Sequence, residues 1–209
     1  MTAEFDLGFA GVVCGTDEAG RGPLAGDVVA AAVVLPRGIV IEGVDDSKKL
    51  TERRRELLYD TIIERADAYG IASASPEEID SLNILQASLL AMRRAVGLTA
   101  EMLGRRGMDG IDMVLVDGNR NTDFGIPSET VVHGDARSQS IAAASILAKV
   151  TRDRMCVEYD RLYPEYNFAK HKGYPTKEHR DIVRLIGPCP IHRRSFLGFL
   201  EGGKSGAKK

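Results

Sequence analysis

Two runs of small and β-branched residues open the chain, Gly11-Val-Val-Cys-Gly-Thr16 and Asp27-Val-Val-Ala-Ala-Ala-Val-Val-Leu35. Neither alternates with polar residues, which is the pattern of strands covered on both faces. The segment between them holds Gly20, Gly22 and Gly26 and reads as a tight connection. From Thr51 to Arg65 the apolar residues Leu57, Leu58, Ile62 and Ile63 recur at helical spacing behind a threonine N-cap. Tyr69 to Ala74 reads as a third strand. Ser75-Pro-Glu-Glu78 combines a capping-box pattern with proline at the first helical position, so a helix begins there. Asn83 to Leu103 predicts a longer helix with Gly97 as a break, and Met113 to Val116 a short strand ending at Asp117-Gly-Asn119. Thr130 to His133 reads as one more strand, Ser138 to Tyr159 as an alanine-rich helix, and Thr176 to Ile186 as the last helix.

Strands come first and helices then alternate with further strands, which predicts an α/β fold with a mixed sheet. Open α/β sheets place their sites at the carboxyl ends of strands. Asp17-Glu18 follows the first apolar run and Asp117 follows the fourth, so the pattern itself directs attention to these acids.

The 209 residues contain no internal repeat and no linker rich in proline, glycine or serine. One domain is expected over residues 1–209, with an ordered core from about residue 10 to about residue 200 and a flexible tail at 202–209. With 44% hydrophobic and 28% charged residues, disordered, collagen-like and disulfide-dense chains are excluded. Cys14, Cys156 and Cys189 are odd in number and include no Cys-x-x-Cys, which argues for a reduced compartment and against a zinc ribbon or thioredoxin motif. The N-terminus is acidic without a signal-peptide pattern, and the longest apolar stretch, Val28 to Leu35, is far short of a membrane span. A cytoplasmic protein without membrane attachment is expected. The net charge of −2 hides an asymmetry: residues 149–209 carry 14 Lys and Arg against 7 Asp and Glu, and residues 1–148 carry 14 against 23. Such a chain can hold a cation in one region and a polyanion in another.

Neighbouring strand side chains point to opposite faces, but where a strand ends and the chain turns, both Asp17 and Glu18 can approach one site. Asp117 joins them from an equally apolar run, and Asp135 stands just before the alanine-rich helix. Carboxylates crowded together raise one another's pKa unless a cation sits among them, and hard ions such as Mg²⁺ and Mn²⁺ prefer all-oxygen sites. Two such ions about 3.5–4 Å apart cleave phosphodiesters in nucleases and polymerases. Competing chemistries lack their signatures: no phosphate-cradling glycine loop, no Gly-x-Ser-x-Gly elbow and no His-Glu-x-x-His occurs. The four histidines form no metal-ligand pattern and read as structural or phosphate-contacting residues. Lys170-His-Lys-Gly-Tyr-Pro-Thr-Lys177, and the two arginines of Pro190-Ile-His-Arg-Arg-Ser195, mix cations with an aromatic ring and suit a nucleic acid.

The string Gly15-Thr-Asp-Glu-Ala-Gly-Arg-Gly-Pro-Leu-Ala-Gly26 resembles the signature of ribonuclease HII. Four further blocks follow in that family's order: Asp46-Ser-Lys-Lys-Leu50, Val116-Asp-Gly-Asn119, Ala142 to Asp153, and His171-Lys-Gly-Tyr-Pro-Thr-Lys-Glu-His179. The resemblance implies a ribonuclease H-like fold, with a mixed five-stranded sheet flanked by helices and a helical C-terminal part. It also implies hydrolysis of the RNA strand of RNA–DNA hybrids, and incision 5′ of ribonucleotides embedded in duplex DNA, a step of ribonucleotide excision repair. The family's four carboxylates fall on Asp17, Glu18, Asp117 and Asp135, as catalytic and metal-holding residues. Its glycine-arginine-glycine motif falls on Gly20, Arg21 and Gly22, its junction tyrosine on Tyr174, and Ser47 and Lys48 match a block near the nucleic-acid backbone. Two divalent ions, Mg²⁺ or Mn²⁺, are implied: one held by Asp17, Asp117 and Asp135 beside the attacking water, the other near Asp17 and Glu18 at the leaving 3′-oxygen. The products implied are a 3′-hydroxyl and a 5′-phosphate.

The sister family, ribonuclease HIII, carries an added N-terminal domain and lacks this Gly-Arg-Gly form, whereas about ten residues precede the first strand here. The expected partners are an RNA–DNA hybrid and a DNA duplex containing ribonucleotides, bound by a monomer. No sliding-clamp tail is evident in Glu201 to Lys209. Two readings from other classes stand beside the nuclease: a nucleic-acid binder without turnover, and a metal-dependent phosphatase acting on small esters.

Overall fold

A computed structural model describes residues 2–45, 47 and 50–200. Lys48, expected to bind substrate, and the tail at 202–209 lie outside the described residues. The order of elements is α1 (Thr2–Leu7), β1 (Val13–Ala19), β2 (Val28–Val34), α2 (Glu52–Arg65), β3 (Ala68–Ala74), α3 (Pro76–Leu82) and α4 (Ile84–Arg105). Then follow β4 (Met113–Asp117), β5 (Ser128–Val131), α5 (Gly134–Arg137), α6 (Gln139–Leu162), α7 (Phe168–His171) and α8 (Lys177–Ile186).

The five strands form one mixed sheet in the order β3-β2-β1-β4-β5. β1 is central: it runs antiparallel to β2, with Asp17 opposite Ala31, and parallel to β4, with Thr16 opposite Val116. The side chains of β2 alternate between two cores, as period-2 geometry requires. Val28, Ala30, Ala32 and Val34 pack under α4 with Leu89, Met92 and Val96. Ala31 and Val33 face the opposite layer, where Ala142, Ala143, Ala144, Ile146 and Leu147 of α6 meet Leu58 and Ile62 of α2. A third cluster, with Leu24, Tyr166, Phe168, Val183 and Leu197, joins the C-terminal helical part to the loop after β1.

Local sequence chemistry sets the boundaries. Thr51 Oγ1 accepts from the Arg54 amide, and Ser75 and Glu78 close a reciprocal capping box at the start of α3. α4 runs unbroken through Gly97, contrary to the expected break, because its buried face (Ala91, Met92, Ala95, Val96, Thr99) packs across the sheet on both sides of that glycine. β1 extends three residues beyond the predicted Thr16, since the ladder to β2 continues through Asp17, Glu18 and Ala19. The strand expected over Thr130–His133 is shifted to Ser128–Val131, and His133 instead begins α5 in the left-handed region at φ 56°.

The small-residue content of β1 brings α6 close to the sheet. A Cβ at Gly15 would collide with the backbone of Ser140 and Ile141. Gly15→Ala is therefore expected to destabilise the protein by about 2–3 kcal/mol through overpacking, a fall in Tm of roughly 4–12 °C for a chain of this size. Scanning calorimetry checks this, and an unchanged Tm would mean that α6 is not seated on β1 as described.

Candidate active site

Asp17 and Glu18 sit on the part of β1 that outruns β4, and Asp117 is the last residue of β4. The carboxyl ends of two neighbouring parallel strands thus bring three acids together. Asp17 is 6% exposed, and its Oδ1 accepts from the Glu18 amide at 2.7 Å. Burial, then the charges of Glu18 and Asp117, push its pKa well above the usual carboxylate range. Burial also raises Glu18, against the pull of Arg21, whose guanidinium lies 3.2 Å from Glu18 Oε1. Asp117 Oδ1 accepts from the amides of Gly134 at 2.8 Å and Asp135 at 3.4 Å, which ties the short helix α5, and with it buried Asp135, to the end of β4.

This donor set is all oxygen, and its members repel one another, so a hard divalent cation fits it. Among the described residues no three His, Cys, Asp or Glu side chains are closed around one point, so an ion would gather these acids by side-chain rotation. Beside them lies a cleft of about 70 Å³ bounded by Glu18, Arg21, Leu89, Asp117, Asn119 and Arg120. A larger cavity of about 230 Å³, lined by Val12, Arg37, Ile39 and Met108 among others, opens at the opposite end of β1 and includes neither Asp17 nor Asp117. The chemistry therefore belongs to the smaller cleft.

The glycine-rich loop follows directly. Gly20 holds φ +96°, and a Cβ there would strike the Arg152 guanidinium, so its role is structural. Gly22 is exposed, and a Cβ there would meet only the Tyr174 ring, at 3.6 Å. Tyr174 is 42% exposed, with Arg152 5.9 Å from its ring centroid. Gly22 and Tyr174 thus lie side by side, just past the end of β1 that carries Glu18. Ser47 is buried and shares a 2.8 Å hydrogen bond with Ser145, whose hydroxyl also bonds Asp17. It is joined to the carboxylates from beneath rather than displayed to a ligand.

Expectations about the basic segment need correction, whereas three of the histidines expected to be structural or phosphate-contacting are structural. Arg193, counted among the cations for a polyanion, is fully buried and donates to backbone carbonyls. Much of the remaining basic segment is paired, as in Lys170 with Glu178, and Lys177 and Arg184 with Asp181. Three of the four histidines are interior and neutral. His192 Nε2 and His179 Nε2 lie 3.0 Å apart, His179 Nδ1 lies 3.0 Å from the Tyr174 carbonyl, and burial pushes both rings down to about pKa 4. His171 accepts from the Gly173 amide at 3.1 Å. Sequence reasoning missed Arg152, Arg193, Ser145 and His179 as supports of the site. Arg152, Ser145 and His179 fall inside the quoted blocks, which was the available signal. The three cysteines are buried free thiols, and no helix among the described residues is long and apolar enough to cross a membrane.

The chain is similar to known proteins over most of its length. A family model for ribonuclease HII matches residues 14–198. The ribonuclease HII of Marinomonas sp. (strain MWYL1) is 57% identical over 189 residues, covering 90% of this chain and 91% of that one. That of Francisella tularensis subsp. novicida (strain U112) is 53% identical over 185 residues, covering 88% and 96%. The crystal structure of ribonuclease H2 from Pyrococcus horikoshii OT3 superposes with a TM-score of 0.72 at 27% identity, over 92% of this chain and 98% of that one. The mixed five-stranded sheet with its flanking helices is thus the ribonuclease H-like fold.

Proposed function

The chain belongs to the ribonuclease HII family, metal-dependent nucleases with ribonuclease H activity on RNA–DNA hybrids, and we propose that it also incises duplex DNA 5′ of embedded ribonucleotides. The observation that carries the proposal is the meeting of Asp17, Glu18 and Asp117 at the ends of β1 and β4, with the exposed pair Gly22 and Tyr174 just past the end of β1. A small-molecule phosphatase has no need of an exposed aromatic ring beside the glycine loop, and a binder without turnover has no need of repelling carboxylates facing a phosphodiester.

Asp17, Glu18, Asp117 and Asp135 would hold two divalent ions, Mg²⁺ or Mn²⁺. When bound, these supply an activated water and charge stabilisation at the leaving 3′-oxygen, giving 3′-hydroxyl and 5′-phosphate ends. The chain's own residues do the rest. The amide of Glu18 and the hydroxyl of Ser145 orient Asp17. The amides of Gly134 and Asp135 take one oxygen of Asp117 and leave the other for an ion. The Gly20–Gly22 loop and Tyr174 set the strand in register, and Ser47 supports Asp17 through Ser145.

The deciding experiment incubates the protein and Mg²⁺ or Mn²⁺ with a labelled duplex carrying one ribonucleotide. A single nick on its 5′ side, with a 3′-hydroxyl end, is expected. Binding without nicking would leave the binder reading, and neither binding nor nicking would leave the phosphatase.

Tyr174 provides a separate check. An exposed ring beside the loop suits stacking on the sugar at the junction, where a 2′-hydroxyl on the DNA side would clash. Tyr174→Ala is expected to lose about tenfold or more in kcat/KM and its junction preference, the cost of about 1–3 kcal/mol for a lost stacking platform. Tyr174→Phe should keep most of both. Equal behaviour of the two variants would assign the ring to packing alone.

A further inference from the structure

The loop between β1 and β2 turns its carbonyl groups into the protein. Arg193 Nε donates to the Gly26 carbonyl at 2.9 Å. One terminal nitrogen donates to those of Arg21 at 3.0 Å and Pro23 at 2.9 Å, and the other to Gly20 at 2.6 Å. The backbone amide of Arg193 takes the Leu24 carbonyl at 2.8 Å. Arg152, also buried, takes those of Ala25 and Asp27 at 3.3 and 3.2 Å. From Gly20 to Asp27, only the Gly22 carbonyl lacks a donor among the described residues.

In a trans peptide the carbonyl of one residue and the amide of the next point in opposite directions. Drawing the Gly20 and Arg21 carbonyls onto Arg193 therefore aims the amides of Arg21 and Gly22 outward. Neither amide has a partner among the described residues, in contrast to Leu24, whose amide donates to the Gly173 carbonyl at 2.8 Å. Both amides lie in the loop that leaves β1 after Ala19 and passes beside Tyr174. Only a planar fork with five N–H donors can gather this many carbonyls at one point, which a lysine ammonium cannot do.

We propose that Arg193 is a positioning residue for ribonucleotide recognition, holding the Arg21 and Gly22 amides as an outward pair of donors for the oxygen of a ribose 2′-hydroxyl. This rests on the endonuclease reading and assigns to Arg193 the shape of the surface that reads the sugar. The segment is pinned from its other side by Asp80 on α3, whose carboxylate accepts from the amides of Arg194 at 2.7 Å and Ser195 at 2.9 Å. The residues next to Arg193 are thus also anchored by contacts outside the loop it organises.

The test measures affinity by fluorescence anisotropy in EDTA, where no cleavage occurs, for one duplex with a single ribonucleotide and for the same duplex in all-deoxy form. Wild type should bind the ribonucleotide duplex more tightly. Arg193→Lys should bring that ratio to within twofold of one while leaving the all-deoxy affinity within twofold of wild type. A preserved ratio overturns the proposal, and so does an equal loss on both duplexes, which would mean phosphate contact or general loosening. If circular dichroism shows Arg193→Lys unfolded, Asp80→Ala, which takes both acceptor oxygens from the Arg194 and Ser195 amides, is measured in the same way. A lowered ratio at unchanged all-deoxy affinity then supports the proposal, and an unchanged ratio overturns it. A wild-type protein that nicks the ribonucleotide duplex in Mg²⁺ but shows no preference in EDTA overturns this proposal alone, whereas a failure to nick overturns the endonuclease reading beneath it.

Discussion

Asp17→Asn and Asp117→Asn are expected to abolish cleavage, a loss of at least about a thousandfold, or about 4 kcal/mol of transition-state stabilisation. Both should fold. A carboxamide oxygen at position 17 can still accept from the Glu18 amide, and one at position 117 can still accept from Gly134 and Asp135. What the substitution removes is the charge that holds the ions. In metal-free buffer the two effects should move in opposite directions for Asp17. Burial and the charges of Glu18 and Asp117 disfavour the ionised form of Asp17, and a neutral amide avoids both costs, so Tm should rise as activity vanishes. Steady-state kinetics on the single-ribonucleotide duplex and a melt in EDTA check the pair. Near-normal turnover in either variant would sink the assigned role. Asp135→Asn should also be severely impaired, and a mild loss there would demote Asp135 to a support of Asp117.

The carboxylates were legible in the sequence because apolar runs end in them, and the ends of neighbouring parallel strands must lie side by side. The length of β1 was not legible, since polar residues at 16–18 read as a turn although the ladder to β2 continues beneath them. Cap chemistry marked α2 and α3 correctly because Thr51, Ser75 and Glu78 bond to the nearby backbone, and such bonds depend only on local sequence. Gly97 misled for the opposite reason: its local cost in helix propensity is overridden by long-range packing against the sheet. Arg193 was hidden most completely. In a sequence it is one more cation in a basic stretch, whereas its partners are main-chain carbonyls some 170 residues away, as the hydrogen bond to Arg21 shows. Carbonyls are present at every position and leave no pattern to read. The same applies to His179 and His192, whose burial as neutral rings depends on contacts between segments.

Gly22→Ala is expected to cut kcat/KM on a single-ribonucleotide duplex by at least tenfold, about 1.4 kcal/mol. The free protein gives no reason for a loss. Gly22 lies outside the left-handed region, and the new methyl would rest 3.6 Å from the Tyr174 ring, an ordinary contact, so Tm should stay within about 2 °C of wild type, as for a surface change of up to about 0.5 kcal/mol. Gly20→Ala is the control, because its positive φ and the adjacent Arg152 guanidinium make that change a folding lesion. The deficit at position 22 must therefore come from what binds over the loop. A 2′-hydroxyl both donates and accepts, and reading it from backbone amides requires an approach that a Cβ obstructs. The methyl would stand between the outward Gly22 amide and the sugar. The loss should thus fall on the discriminating step, leaving affinity for an all-deoxy duplex within twofold of wild type. If kcat/KM stays within twofold of wild type, the loop does not read the sugar. If affinity for both duplexes falls together, the methyl keeps any strand off the loop, and recognition of the ribonucleotide must lie with Tyr174.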